Sequence, residues 1–116
     1  MKENDLQKRA FDFAVNVVNL LKKVERSSVS RVIEYQLAKA ATSIGANYEE
    51  SQAACSKDDF SYKVAICLKE ARESHYWLRV MRATNIGDVM ILDELIREAG
   101  ELKQIFGAIV LKSKNE

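Results

Sequence analysis

The chain has 116 residues, of which 47% are hydrophobic and 30% are charged, and its formal net charge is +1. A single domain of this length and composition can bury a sizeable core without disulfides or metals. The near-neutral charge argues against a strongly basic nucleic-acid binder, whose affinity rests on neutralising phosphates, and leaves room only for a local basic patch.

Proline is absent from the chain, so no residue of that kind interrupts a long helix. Apolar residues recur at steps of three and four in four segments, which is the spacing of helices with one buried face. The predicted helices are 5–24, 29–54, 59–83 and 89–112. The predicted core positions are Leu6, Ala10, Phe13, Val17, Leu20 and Val24 in the first helix; Val29, Ile33, Leu37, Ala40 and Ile44 in the second; Phe60, Val64, Cys67, Ala71, Ser74, Leu78 and Met81 in the third; and Leu92, Leu95, Ala99, Leu102, Phe106 and Ile109 in the fourth.

Short polar connections separate the predicted helices. A serine precedes the second helix and can cap it, and Ser56 with Asp59 resembles a capping box for the third. Gly87 can end the third helix, and Asp88 can cap the fourth. Because connections this short make neighbouring helices antiparallel, the sequence predicts an all-α, up-down-up-down four-helix bundle that forms one domain over 1–116.

Two of the helices carry more apolar surface than one buried face requires. A second row lies beside the core stripe of the first helix, and another row on the third helix includes the only tryptophan. Two interpretations are open, a broad core face and a subunit interface. We expect the interface, because a long apolar strip on a monomer promotes aggregation. The predicted interface residues are Phe11, Val18, Tyr62, Ile66, Glu70, Glu73, Trp77 and Val80.

The chain lacks the patterns of common helical enzymes. A di-iron site needs Glu-x-x-His pairs on two helices, and His75 is the only histidine. The Arg–His spacing of the HEPN ribonucleases is also missing. Cys55 and Cys67 match no metal or redox spacing, and Cys67 is expected to be a buried hydrophobe. We therefore expect no catalytic residue, metal, cofactor or small-molecule substrate, and the free thiols and polar N-terminus predict a cytoplasmic protein without a membrane span.

Small residues crowd the middle of the second helix, and Gly45 is among them. Glycine inside a helix costs about 1 kcal/mol relative to alanine, which indicates a close approach by a neighbouring helix or by another chain. Asn47 is a poor helix former. We expect its amide to be at least half-buried and hydrogen-bonded to a neighbouring helix or to the region of Glu70 and Glu73.

The segment 36–50, with the sequence QLAKAATSIGANYEE, resembles the signature of the 23S rRNA intervening-sequence protein family, which are small bacterial four-helix proteins. The dipeptide DF at 59–60 and the segment KEARES at 69–74 resemble the third helix of that family, and the resemblance extends over about 11–109. The signature residues that match are Gln36, Leu37, Lys39, Ala40, Ala41, Ser43, Ile44, Ala46, Asn47 and either Glu49 or Glu50, and Gly45 lies within the same motif.

The chain departs from the family pattern at two places. Gly45 stands where the family usually has proline, so a local irregularity of the helix is expected there. Ala38 and Lys39 stand where the family has two basic residues, which thins the patch that would contact RNA.

The resemblance implies a homopentamer of four-helix bundles. Its architecture is also similar to that of the accessory proteins of diversity-generating retroelements, which bind a reverse transcriptase and nucleic acid. Two functions are therefore open: a non-catalytic oligomer that associates weakly with RNA through Arg31 and Lys39, and an adaptor for a nucleic-acid enzyme.

Overall fold

The computed structural model describes residues 3–115, and the remaining three residues of the predicted domain lie outside that range. Over this range the chain forms four α-helices: α1 (Glu3–Lys22), α2 (Ser28–Gln52), α3 (Lys57–Ala83) and α4 (Val89–Lys114). The predicted all-α four-helix bundle is confirmed, and every predicted helix boundary lies within two residues of the observed one. None of these helices is long and apolar enough to cross a membrane.

Serine side chains begin α2 and α3, as the sequence predicts. Ser27 accepts a hydrogen bond from the backbone of Ser30, and the Ser30 hydroxyl accepts one from the Ser27 backbone, which completes a capping box. The Ser56 hydroxyl accepts a hydrogen bond from the backbone N–H of Asp59, with an N–O distance of 3.1 Å. The Asp59 carboxylate then accepts from the backbone of Cys55, one residue earlier than a capping box requires.

The end of α3 differs from the prediction, because Asn85 rather than Gly87 terminates the helix. Asn85 has a φ of 59°, in the left-handed region. The next residue, Ile86, donates its N–H to the carbonyl of Met81 at 2.9 Å, which is the hydrogen bond of a Schellman C-cap. Gly87 also has a positive φ, 96°, but it belongs to the turn that leads to Asp88, the predicted and observed N-cap of α4.

The predicted core is buried or half-buried in every helix except at one position. Val29 is 63% exposed, so its assignment to the core is wrong. The neighbouring Ser30 is buried instead, since its hydroxyl is hydrogen-bonded within the turn and needs no water. The buried stripe of α2 therefore starts at Ser30 and continues through Ile33, Leu37 and the core positions that follow.

Contacts between the helices join opposite ends of successive helices, as the predicted antiparallel order requires. Gly45, late in α2, lies against Ala10, early in α1. Arg82, at the end of α3, forms an ion pair of 3.0 Å with Asp93, early in α4. The helix α4 packs mainly on α3 and touches α1 less closely, and Arg9 of α1 spans the wider seam by pairing with two glutamates of α4.

Candidate interaction surface

An apolar groove runs along the outside of the seam between α1 and α2. Three α1 residues on its wall remain substantially exposed, Phe11 at 58%, Val15 at 40% and Val18 at 37%. Small residues of α2, among them Gly45 and Ala46, form the opposite wall, and the groove has a volume of about 470 Å³. Exposed apolar surface of this kind marks interaction sites on soluble proteins.

The groove exists because α1 and α2 approach closely at Gly45. A Cβ atom placed on Gly45 would lie 3.5 Å from the carbonyl carbon of Ala10 and 3.6 Å from the backbone nitrogen of Phe11. The expected irregularity at this glycine is not seen, since α2 is continuous from Ser28 to Gln52. Gly45 therefore lies where two helices of the same bundle meet, which was one of the two interpretations of its position, and the contact favours a small residue without requiring glycine.

Charged side chains close the two ends of the groove. Lys8 and Glu49 lie beside Phe11 at one end, and Arg26 and Glu34 lie near the other. One carboxylate oxygen of Glu34, Oε2, is buried and has no hydrogen-bond partner among the described residues. An apolar centre with a charged rim is the ordinary anatomy of a protein interface.

The predicted interface row of α3 is mostly occupied by contacts within the bundle. Tyr62 is 67% exposed, but Ile66, Trp77 and Val80 are half-buried, and the last two pack against the core. The Trp77 ring also meets the ring of Tyr76 edge-on at 5.2 Å. The α1 part of the predicted interface is thus open, whereas the α3 part presents mainly Tyr62.

Glu70 of the predicted interface is 8% exposed and lies in the seam between α2 and α3, beside the hydroxyl of Ser43. Burial raises the pKa of Glu70 above its ordinary value, and the half-buried Glu73 raises it further, while Ser43, Lys69 and Lys39 lower it. No described cation lies within 4.0 Å of the Glu70 carboxylate.

Asn47 has the burial that the sequence predicts but a different partner. Its side chain is half-buried, and Nδ2 donates to the carbonyl oxygen of Ser43 at 2.8 Å. The predicted partner on a neighbouring helix or near Glu70 and Glu73 is wrong, because the carbonyl one turn back on the same helix lies within reach of the amide.

The other signature residues divide between the core and the surface. Four of them, Leu37, Ala41, Ile44 and Gly45, are buried, so this part of the signature serves packing. The remaining ones lie at or near the surface: Gln36 and Ser43 are half-buried, and Ala46 and Glu50 are exposed.

The two predicted nucleic-acid contacts, Arg31 and Lys39, are both exposed but do not lie together. Arg31 is in the first turn of α2, at the same end of the bundle as the exposed residues Lys22, Lys23 and Arg26. Lys39 lies about 12 Å further along the helix at about 1.5 Å per residue. The basic end of the bundle therefore includes Arg31 and excludes Lys39.

Cys67 and His75 are the residues best suited to catalysis or metal binding, but both of them take part in packing. Cys67 is fully buried, as predicted, and burial raises the pKa of its thiol to about 12, which suppresses the reactive thiolate. His75 is half-buried and lies against Gly100 of α4. Burial and the nearby charges of Lys103 and Arg79 lower the pKa of His75. Among the described residues, no three potential metal ligands are grouped.

Three exposed apolar residues on this side of the bundle do not appear among the sequence-predicted interface residues. They are Val15 on α1, 40% exposed, and Val32 and Tyr35 on α2, 58% and 64% exposed. Val15 lies four positions after Phe11 and three before Val18, so helical spacing places Phe11, Val15 and Val18 on one face of α1. Val32 and Tyr35 are three positions apart, so the same rule places both of them on one face of α2.

Comparisons with known proteins identify a family and a related crystal structure. The family model described as 23S rRNA-intervening sequence protein matches residues 2–108. A crystal structure of a protein with unknown function from the S23 ribosomal protein family of Bacteroides thetaiotaomicron VPI-5482 is 32% identical to this chain, with a TM-score of 0.81, and the match covers 90% of this chain and 97% of that chain. Among curated proteins, none matches this chain.

Proposed function

Because the chain belongs to the 23S rRNA-intervening sequence protein family, as the resemblance of its signature segment predicts, we propose that it is a non-catalytic protein whose copies associate through the groove between α1 and α2. The exposed row of Phe11, Val15 and Val18 is the observation that carries this proposal. Its removal from water would stabilise an assembly by about 25 cal/mol for each Å² of apolar surface that is buried.

The size of the groove indicates how far the contact must extend. A stable interface buries roughly 1,200–2,000 Å² in total, and the three exposed side chains on the groove wall supply only part of that area. The neighbouring outer face of α2, with the exposed Val32 and Tyr35, extends the apolar surface. The interface that we propose therefore includes the groove and this face.

The shape of the surface favours contact between two different faces of the chain. A groove is complementary to a ridge rather than to a second groove, so the partner copy must offer a different face, and contacts of that kind close into rings or continue as filaments. A ridge is available on α3, where Tyr62 is 67% exposed. We propose a closed homopentamer, a number that rests on the family resemblance.

A charged side chain in the groove tests the association. Phe11→Glu would bury a carboxylate in an apolar contact, which is strongly unfavourable without a partner, so the variant should sediment as smaller species than the unchanged protein. Met90→Glu is the matched control, because Met90 is 79% exposed in the first turn of α4, outside the groove. Equal masses for the two variants would refute the groove as the contact.

A weak association with RNA is the second part of the proposal, and the basic end of the bundle supports it. Lys22, Lys23, Arg26 and Arg31 are exposed there, and a ring of copies would repeat this cluster around one rim and multiply its contacts. Because such contacts are made to phosphates, binding should vary little with RNA sequence and should weaken steeply with salt.

Fluorescence anisotropy with two unrelated RNA fragments tests this part. We expect affinities of about micromolar or weaker at physiological salt, in the range of non-specific binding. Arg31→Glu should weaken binding more than Lys39→Glu, which lies outside the basic end, and more than the control Lys114→Glu, which changes an exposed lysine at the other end of the bundle. Nanomolar binding to only one of the RNAs would contradict the proposal.

A cytoplasmic location completes the proposal. Cys55 and Cys67 are both free, and unpaired thiols are typical of proteins in a reducing compartment. Recovery of the protein outside the cytoplasmic fraction of cells would argue against it.

A further inference from the structure

A second concave site lies at the end of the bundle opposite the basic end. It is a cleft of about 840 Å³, and all four helices contribute to its lining. Its floor is apolar and includes Leu6 of α1, Tyr48 of α2, Phe60 of α3 and Ile109 of α4. Clefts that bind small molecules usually have volumes of roughly 300–1,000 Å³ and a mostly apolar lining, so this cleft has the size and surface of such a site.

The floor of the cleft is held in place by the core. Leu6 and Tyr48 are 4% and 3% exposed, and the Tyr48 ring packs edge-on against the buried ring of Phe106 at 5.6 Å. Phe60 and Ile109 are only half-buried, so they offer apolar surface that the bundle itself does not cover. A ligand would therefore meet a preformed wall rather than one that must be ordered on binding, which favours affinity.

The polar lining of the cleft is basic. Lys57 and Lys112 are its only charged residues among the described ones, and both are exposed. No ion pair involves either lysine among the side chains that the structure describes. Lys57 is also the first residue of α3, where the helix dipole adds positive potential.

The lining hydroxyls are already engaged within the protein. Ser51 is 2% exposed and donates to the carbonyl oxygen of Tyr48 at 2.6 Å. Ser56 accepts from the backbone of Asp59 in the N-cap of α3. The two lysines are the charged groups of the cleft that remain available to orient a ligand.

We propose that this cleft binds a linear fatty carboxylate of medium chain length. The hydrocarbon chain lies on Leu6, Phe60 and Ile109, and the carboxylate lies at the rim with Lys57 and Lys112. The apolar floor selects for an alkyl chain, and the pair of unpaired cations selects for a negative head group.

Isothermal titration of the full chain with decanoate, decanol and decyltrimethylammonium tests the proposal, because the three probes share an alkyl chain and differ in charge. We expect decanoate to saturate at one molecule per chain, decanol to bind about tenfold or more weakly, and decyltrimethylammonium to bind weakest. Equal affinities for the three probes, or no binding of decanoate, would overturn the proposal.

Variants locate the binding at the cleft. Ala108→Trp places a large side chain in the lining and should abolish decanoate binding, whereas Ala65→Trp, at an exposed helix position outside the cleft, should leave it unchanged. Lys57→Glu and Lys112→Glu should each weaken binding about tenfold, and Lys114→Glu should not. Circular dichroism of each variant checks folding.

Two outcomes would overturn the proposal. One is an unchanged affinity for decanoate in folded Ala108→Trp. The other is a change in the sedimenting mass of Ala108→Trp, because the cleft would then be covered by another copy of the chain.

Discussion

Gly45 of α2 lies directly against the backbone of α1, where a Cβ atom on Gly45 would be 3.5 Å from the carbonyl carbon of Ala10. This distance is an ordinary van der Waals contact, so the crossing has room for one methyl group but not for a long side chain. The contact fixes how closely the two helices approach and hence the shape of the groove beside them.

Substitutions at Gly45 test this geometry. Gly45→Ala should raise the free energy of unfolding by up to about 1 kcal/mol, because alanine is the better helix former and its methyl group fits. Gly45→Leu should lower it by about 1–3 kcal/mol, because the larger side chain would force α1 away. Urea unfolding of the two variants measures both effects, and a destabilising Gly45→Ala would show that the crossing is tighter than described.

Glu70 should make stability depend on pH in the direction opposite to most carboxylates. Its folded-state pKa is raised above the ordinary value of 4.5, so the stability that it contributes is present below that value and is lost as the pH rises through the folded pKa. Glu70→Gln should therefore be more stable than the unchanged protein at pH 7, with the difference shrinking near pH 4. The exposed Glu94 supplies the control, Glu94→Gln. A Glu70→Gln variant less stable at pH 7 would indicate that the charge is paired.

His75 should lower stability in mild acid. Its folded-state pKa lies below the ordinary value of 6.5, so the stability tied to the neutral ring is present above 6.5 and is lost as the pH falls toward the folded pKa. The unchanged protein should lose more unfolding free energy between pH 7 and pH 5 than His75→Gln does. Parallel pH curves for the two proteins would contradict the burial of this ring.

The two thiols should differ sharply in reactivity. Cys55 is exposed and Cys67 is buried, and burial raises the pKa of Cys67 to about 12. A thiol-specific disulfide reagent should therefore label one cysteine in the folded protein and two in denaturant. Rapid labelling of both cysteines under native conditions would mean that α2 and α3 separate readily.

Much of the fold follows from local patterns in the sequence. The three- and four-residue spacing from Leu6 to Leu20 identifies the buried face of α1, and serine and aspartate side chains mark where α2, α3 and α4 begin. The predicted core position and the predicted helix end that differ from the structure lie where local hydrogen bonds matter more than the usual preference of the residue type. Ser30 is buried in place of Val29 because its hydroxyl is satisfied in the capping box, and Asn85 ends α3 because it too adopts the left-handed conformation.

The candidate surfaces are harder to predict, because they depend on how helices lie side by side. Helical spacing places both Phe11 and Trp77 beside the core stripe and does not distinguish them. Only the packing of the bundle shows that Phe11 is 58% exposed, while Trp77 packs partly against the core. The cleft at the end of the bundle combines Leu6, Phe60 and Ile109 from three helices. No local pattern relates positions so distant in the chain.

The mass of the unchanged protein in solution tests the central proposal most directly. Sedimentation equilibrium at micromolar concentration should give several times the 13.2 kDa of one chain, and the proposed pentamer corresponds to about 66 kDa, five times 13.2 kDa. A species of 13.2 kDa that stays monomeric as the concentration is raised would contradict self-association through the groove.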